Sequence, residues 1–518
     1  MINSKEEKNN PTFIDNSHSK DSENKIIKIN EIDKAQANCA VVGIYGHPQA
    51  ALMTYYMLHS LQHRGQEATG ITTFYFDEKI GKLNYASHRK KGLVIDTFSY
   101  PELFTDVLKG DRAIGHNRYA TTGAANGLNI QPLNMKYHRG ILAVSHNGNL
   151  SNTNTLRKEL QEKGAIFHTT TDTELFLHLI AHSKKPTVIE QIKEALNFTK
   201  GAYSLAVLTE DGLVAARDPF GVRPLNLGRL KVGEKYAYVV ASETCAFDMI
   251  GAEEIRSINH NEMILINEKT LETGEIQSYK IQPETPVAKH CIFEYIYFSR
   301  PDSRIFGHNV DKVRRKLGKN LAEEYSTTPL EDQKVTVIAV PDSGNTAALG
   351  YARANQKQGY DTAYEIGLIR SHYVGRTFIQ AGQDNREFKV KSKFNTVKGV
   401  IENRNIVIVD DSIVRGTTSK ALIKLLRNAK PTKLHLRITS PPIISPCHYG
   451  MDFPHKSELI ANEYHSEEEI AKALGVDSLH YLSIDKLMES VPQDEGISYC
   501  TACFTGDYPI ELESELER

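Results

Sequence analysis

The chain has 518 residues, too many for one compact core, so two or three domains are the starting expectation. Its 62 Lys and Arg against 64 Asp and Glu leave a formal charge of −2, with no basic stripe of the kind that marks a nucleic-acid binder. No apolar run approaches the roughly 18 residues that a membrane-spanning helix needs, so neither nucleic acid nor membrane is expected as a partner.

The first 38 residues are rich in Asn, Lys, Ser and acids, with no helical or strand period. They contain no Arg but carry Glu6, Glu7, Asp15, Asp21, Glu23, Glu31 and Asp33, the reverse of a mitochondrial transit sequence. Residues 1–38 therefore read as a disordered leader, and the expected location is cytoplasmic. Cysteines stand at Cys39, Cys245, Cys291, Cys447, Cys500 and Cys503, in a chain large enough to need no disulfide framework. In a reducing compartment the C-x-x-C pair Cys500 and Cys503 suggests metal, redox or catalytic work.

From Cys39 the composition changes to CAVVGIYGHPQA, a strand-like run ending in Gly and Pro, and a helical pattern follows over 51–61. Next come HRGQEATGI (63–71), GHNRYATTG (115–123), SHNGNL (145–150) and TTDTE (170–174). Strand-rich stretches such as GAYSLAVL and YAYVVASE complete an α+β region to about residue 275. A cysteine is a strong nucleophile toward an amide carbon but needs a base for its proton. No His adjoins Cys39, although His47 is close. Taken singly, Arg118 could be a surface ion pair, Asn147 and Gly148 a hairpin turn, and Asp172 a helix N-cap.

Together and in this order, the segments resemble the class II glutamine amidotransferases, which are N-terminal-nucleophile hydrolases. That resemblance implies an αββα sandwich over 39–275, with Cys39 as nucleophile and residues 1–38 removed as a propeptide. The freed α-amino group of Cys39, whose pKa lies near neutrality, would be the base. Arg118 would pair with the glutamine α-carboxylate and Asp172 with its α-ammonium. The Asn147 amide and the Gly148 N–H would form an oxyanion hole, and Arg64 would support the nucleophile loop at the glutamine site. Ala40 stands where this family usually has Gly.

The back half opens with HCIFEYIYFSRPDS and a helix-like stretch over 313–321. The strand–loop–helix VTVIAVPDSGNTAALGYA (335–352) follows, with Asp342, Ser343 and Gly344 at its tip, then SHYVGRTFIQ (371–380). The run IVIVDDSIVRGTTS (406–419) is the most informative in the chain. Its β-prone residues 406–409 suit a buried parallel strand, and Asp410 and Asp411 lie at the carboxyl end, where open α/β sheets bind ligands. A small-residue turn leads into a helix whose Leu422, Leu425, Leu426 and Ala429 share a face, with Pro431 marking its end. Backbone N–H groups in such a turn, backed by the helix dipole, cradle a phosphate. The acidic pair suits ribose hydroxyls or a magnesium ion.

This run is similar to the phosphoribosylpyrophosphate (PRPP) loop of type I phosphoribosyltransferases, in the form found in glutamine PRPP amidotransferases. The resemblance implies an α/β phosphoribosyltransferase domain over 285–470. PRPP would be bound by Asp410, Asp411, Ser412, Arg415, Gly416, Thr417 and Thr418. Asp342 and Ser343 would form the pyrophosphate loop, and Arg376, with Tyr373, Gly375 and Thr377 beside it, would sit on a closing loop. Mg²⁺ would lie near Ser343, Asp410 and Asp411.

Cys291, Cys447, Cys500 and Cys503 fall in segments resembling the iron–sulfur subgroup of the same family. Four thiolates suit either zinc or a 4Fe–4S cluster; the resemblance favours the cluster, completed by residues 471–518. Cys245 has no matching role and reads as a packed core thiol. The family implies transfer of the amide nitrogen of glutamine to PRPP in de novo purine synthesis, by a homotetramer under AMP and GMP feedback. An amidotransferase acting on a sugar phosphate would lack the DDSIVRGTT segment. A PRPP-sensing regulator would have no need of Cys39, Arg118, Asn147 and Arg376.

Overall fold

A computed structural model describes residues 39–119, 127–331, 333–371, 393–451, 453 and 455–513. The leader 1–38 and the loop residues Tyr373, Gly375, Arg376 and Thr377 lie outside the described residues. The described chain falls within a single compact unit, Asp33–Arg518.

Its front half is built on two antiparallel sheets. In the first, Ala40–Tyr45 lies between Lys235–Ala241 and Arg112–Arg118, with Asn226–Val232 and Glu253–Ser257 beyond one side and Ala68–Asp77 and Lys82–Lys91 beyond the other. The second runs Gln277–Lys280, Glu262–Ile266, Gly212–Arg217, Gly201–Thr209, Gly140–Leu150, Leu133–Tyr137. Side-chain alternation explains the layering. Val41 and Tyr45 point into a core shared with Ile141, Ala143, Ala206 and Ala215 of the second sheet. Ala40, Val42 and Ile44 point the other way, onto Met57 and Leu58 of the helix Ala50–Ser60. On the far side, Leu142 and Val144 pack against Leu156, Phe176 and Ile192 from three helices. The layers are αββα, as expected.

The back half is centred on a five-stranded parallel sheet in the order Thr362–Tyr364, Val335–Ala339, Asn405–Asp410, Lys433–Ile438, Ser478–Tyr481. Strand residues feed both faces, as a parallel sheet covered on two sides requires. Val337, Val407 and Val409 meet the helices Val310–Glu324 and Asn345–Lys357, while Ile338, Ile406 and Ile408 meet Leu422, Ile423 and Leu426 of the helix Thr417–Arg427. After Val335–Ala339 the chain adds a strand on one side, then crosses to Asn405–Asp410 on the other. That places the topological switch point between these two strands, the position where such sheets bind ligands.

Two expected boundaries are corrected. The strand Gln277–Lys280 completes the second front sheet, so that domain runs past 275. Position 470 falls inside the helix Glu467–Leu474, and Ser478–Tyr481 is the fifth strand of the parallel sheet, so the transferase fold runs past 470. Near the end of the chain, Ile497–Cys500 pairs in parallel with Ala288–Cys291, which sets Cys291 opposite Cys500. Among the described residues no helix is long and apolar enough to cross a membrane.

Candidate active sites

Cys39 lies just before the strand Ala40–Tyr45, half-buried, with its Sγ 3.8 Å from the Tyr119 carbonyl. Ala40 pairs with Asn117, so Arg118 arrives beside the thiol by sheet register. Burial pushes the Cys39 thiol pKa up; Arg118 and Arg64 pull it down, and Asp172 pushes it up again. All three expected charged partners therefore bear on one sulfur.

Arg64 is fully buried and its donors are committed. Its Nε donates to the Cys39 carbonyl at 3.3 Å, one terminal nitrogen to Glu243 at 2.5 Å, and both terminal nitrogens to Glu294 at 3.0 and 2.7 Å. It anchors the residue that leads into the strand Ala40–Tyr45. Neither Glu243 nor Glu294 was legible in the motifs.

Asn147 and Gly148 sit inside the long strand Gly140–Leu150 and not in a turn. Asn147 is fully buried, yet neither its Oδ1 nor its Nδ2 has a hydrogen-bond partner among the described residues. An orphaned buried amide leaves a donor and an acceptor open to a water or a ligand. Gly148 has φ +147°, and an added Cβ would lie 2.0 Å from the Ala202 carbonyl oxygen, so only glycine fits.

Asp172 precedes the helix Thr173–His182 but does not cap it. Its carboxylate instead accepts the Leu150 N–H at 3.0 Å and the Thr171 hydroxyl at 3.2 Å, and lies 3.6 Å from His146 Nδ1. Burial alone would raise its pKa, but His146 and these hydrogen bonds outweigh it and hold the carboxyl below its usual range. The strand Gly140–Leu150 and the residue ahead of the helix Thr173–His182 are thus pinned to each other.

A second site forms at the switch point. Asp410, Asp411 and Ser412 are all buried at the end of Asn405–Asp410. The Asp411 N–H donates to Asp410 Oδ1 at 3.0 Å, and the Ser412 hydroxyl to Asp411 Oδ2 at 2.6 Å. Gly416, with φ +76°, turns the chain into Thr417–Arg427, so Thr417 and Thr418 occupy the helix's first turn and Arg415 lies just ahead, 3.0 Å from Glu458. Across the switch point, Gly344 packs so tightly on the sheet that a Cβ would lie 2.5 Å from the Val409 carbonyl oxygen. Beside it Asp342 is exposed and paired with Arg370 at 2.7 Å. Arg370 ends one arm, Leu368–Arg370, of an antiparallel ribbon with Phe394–Thr396. Two buried carboxylates and a hydroxyl make a hard-oxygen donor set suited to Mg²⁺.

The four remaining candidate cysteines share one neighbourhood. Burial pushes the Cys291 thiol up to about 11, with Arg223 opposing and Cys447 adding to the rise. Burial likewise raises Cys500 and Cys503, and each feels Cys291 and Cys447. Among the described residues no three His, Cys, Asp or Glu side chains are arranged as a ready-made metal site. The donor chemistry still fits a thiolate-bound centre, since buried thiols with raised pKa values need added positive charge to ionise. Cys245 is buried apart from them against Phe247 and Met57, its thiol pushed up to about 12 by burial and Glu243, as a core thiol should be.

A glutamine amidotransferase domain family matches residues 116–249. The amidophosphoribosyltransferase of Bacillus subtilis (strain 168) is 45% identical, covering 93% of this chain and 96% of its own length. The chloroplastic amidophosphoribosyltransferase 1 of Arabidopsis thaliana is 47% identical over 92% of this chain and 80% of its own. Two solved structures align with TM-scores of 0.82 and 0.81, each 44% identical and covering 92% of this chain and 97% and 98% of their own. One is described as the allosteric regulatory enzyme of purine biosynthesis, the other as glutamine PRPP amidotransferase from B. subtilis complexed with ADP and GMP.

Proposed function

The chain belongs to the amidophosphoribosyltransferase family, and from that premise we propose how its residues divide the work. The enzyme transfers the amide nitrogen of glutamine to C1 of PRPP, yielding 5-phosphoribosylamine, glutamate and pyrophosphate in the first committed step of purine biosynthesis.

At the first site, Arg118 and Asp172 hold the two ends of the amino-acid backbone and leave the side-chain amide facing Cys39. The α-amino group of Cys39, freed by removal of residues 1–38, takes the thiol proton and later delivers it to departing ammonia. The tetrahedral oxyanion is stabilised by the Asn147 amide and the Gly148 N–H, and water then releases glutamate from the thioester. At the second site, the 5-phosphate docks on the N-terminal N–H groups of Thr417–Arg427, while Asp410 and Asp411 accept the ribose hydroxyls and stabilise positive charge as the C1–oxygen bond breaks. Asp342 and Ser343 flank the departing pyrophosphate; Arg376, the third expected partner, lies outside the described residues. Mg²⁺ near Ser343, Asp410 and Asp411 would supply charge neutralisation when bound.

Cys291, Cys447, Cys500 and Cys503 would hold a 4Fe–4S cluster that ties the segment after Ser478–Tyr481 to the transferase domain, a reading supported by the nearness of the four thiols to one another. A homotetramer, AMP and GMP inhibition, and a cytoplasmic location complete the proposal; the plant relatives carry chloroplastic names.

The observations that carry the reading are the buried Asn147 amide, without a hydrogen-bond partner among the described residues, and the convergence of Arg64, Arg118 and Asp172 on one thiol. Glutamine hydrolysis assayed with and without PRPP tests it. PRPP should accelerate hydrolysis; no hydrolysis, or indifference to PRPP, would overturn it.

A further inference from the structure

The turn that follows Cys447 touches the first active site by three contacts. Gly450, with φ +103°, lies against the oxyanion glycine, and a Cβ there would stand 2.9 Å from the Gly148 carbonyl carbon and 3.0 Å from its oxygen. The Asn149 amide donates to the His448 carbonyl at 3.0 Å. The Tyr449 carbonyl accepts from Arg223 Nε and from one of its terminal nitrogens, at 3.1 and 2.8 Å. The other terminal nitrogen of Arg223 lies 3.3 Å from Glu294, which also holds Arg64, the donor to the Cys39 carbonyl. Arg64, Arg223, Glu243 and Glu294 are all fully buried. The Tyr449 N–H, meanwhile, points to Cys447 Sγ at 3.4 Å. One residue therefore has its N–H on the sulfur and its C=O on the relay to the nucleophile.

We infer that His448–Tyr449–Gly450 is a positioning brace for glutamine cleavage, setting the oxyanion glycine directly and the nucleophile strand through Arg223, Glu294 and Arg64. Each acts through another residue: His448 through Asn149, Tyr449 through Arg223 and Gly450 through Gly148. The inference rests on Cys39, Asn147 and Gly148 being the glutamine-cleaving groups.

Gly450→Ala tests it in the full-length enzyme. Pushing Gly148 out of place should lower kcat for glutamine hydrolysis by about ten- to a hundredfold, below the loss of a whole oxyanion donor. The glutamine KM should change by less than about threefold, since Arg118 and Asp172 are untouched, and synthesis from ammonium should stay within about twofold. Labelling of Cys39 by 6-diazo-5-oxonorleucine, read by intact mass, should slow with hydrolysis, while iron content stays that of the unaltered enzyme. Arg223→Lys keeps a charge near Glu294 but cannot fork onto Tyr449, and should give a milder loss of the same kind. It decides the matter if the alanine variant does not fold. Unchanged hydrolysis, or equal loss of the glutamine and ammonium reactions, would overturn the brace. If Asn147→Ala also left hydrolysis intact, the site assignment itself would be at fault; if it alone abolished hydrolysis, only the brace would fail.

Discussion

Asn147 shows what a single residue can reveal. A buried amide with both polar atoms unsatisfied among the described residues costs about 1–3 kcal/mol, a cost that folding alone gives no reason to keep. Asn147→Ala should therefore leave the protein as stable or more so, while glutamine-dependent kcat falls about a hundred- to a thousandfold and KM moves little. Steady-state kinetics with a thermal melt would check both halves, and a variant that lost stability but kept kcat would contradict the assignment. Cys39, Arg118, Asn147 and Asp172 stood out in the sequence because their types and order carry chemistry. Glu243 and Glu294 did not, since nothing local marks a glutamate as the counter-ion of an arginine 179 or 230 positions away. Arg223 was hidden for the same reason: its partner is a backbone carbonyl 226 positions on.

At the scale of elements, the turn over 413–416 and the helix after it behave as one device. The expected apolar face was nearly right: Leu422, Leu426 and Ala429 are buried, but Ile423 is more deeply buried than Leu425, because the helix meets both the sheet and the neighbouring helix Glu467–Leu474. Gly416→Ala should raise the PRPP KM and cost about 1–2 kcal/mol, from the left-handed backbone, with a Cβ falling 2.4 Å from Ile460 Cδ1. Synthesis rates against PRPP concentration, with a denaturant midpoint, would show it; a normal KM would count against phosphate binding at this turn. The segment presenting Asp172 depends on another residue, Glu174. Burial would raise its carboxyl, but His178, the N–H groups of His168 and Thr169 and the Thr169 hydroxyl win, and its pKa falls to about 2. A depressed pKa gives stability that is full above the unfolded value of about 4.3 and lost as pH falls toward the folded one. Glu174→Gln should therefore flatten the loss of stability between roughly pH 4.3 and 2, measurable as melting temperature against pH. An unchanged slope would mean that the carboxylate does not hold this segment.

On the scale of the whole molecule, the two halves were separable in the sequence by their motifs, but their edges were not. The strands Gln277–Lys280 and Ser478–Tyr481 are short and carry polar residues, so no apolar run announced that they complete sheets. The return of Ile497–Cys500 to Ala288–Cys291 was foreshadowed only by cysteine matching, because pairing across about two hundred residues leaves no local trace. Anaerobically purified enzyme should contain iron and sulfide in matching amounts; stoichiometric zinc in colourless protein would refute the cluster while keeping the ligands. Cys500→Ser should impair maturation and Cys245→Ser should be mild, read as soluble yield and metal content. The central claim is that one chain carries two separate sites, a glutamine-cleaving one at Cys39 and a phosphoribosyl-transferring one at Asp410 and Asp411. The direct measurement is phosphoribosylamine formation from glutamine and from ammonium in two variants. Cys39→Ala should fail with glutamine and succeed with ammonium, and the double Asp410→Ala, Asp411→Ala variant should fail with both. A folded Cys39→Ala protein that is equally dead with ammonium would contradict the account.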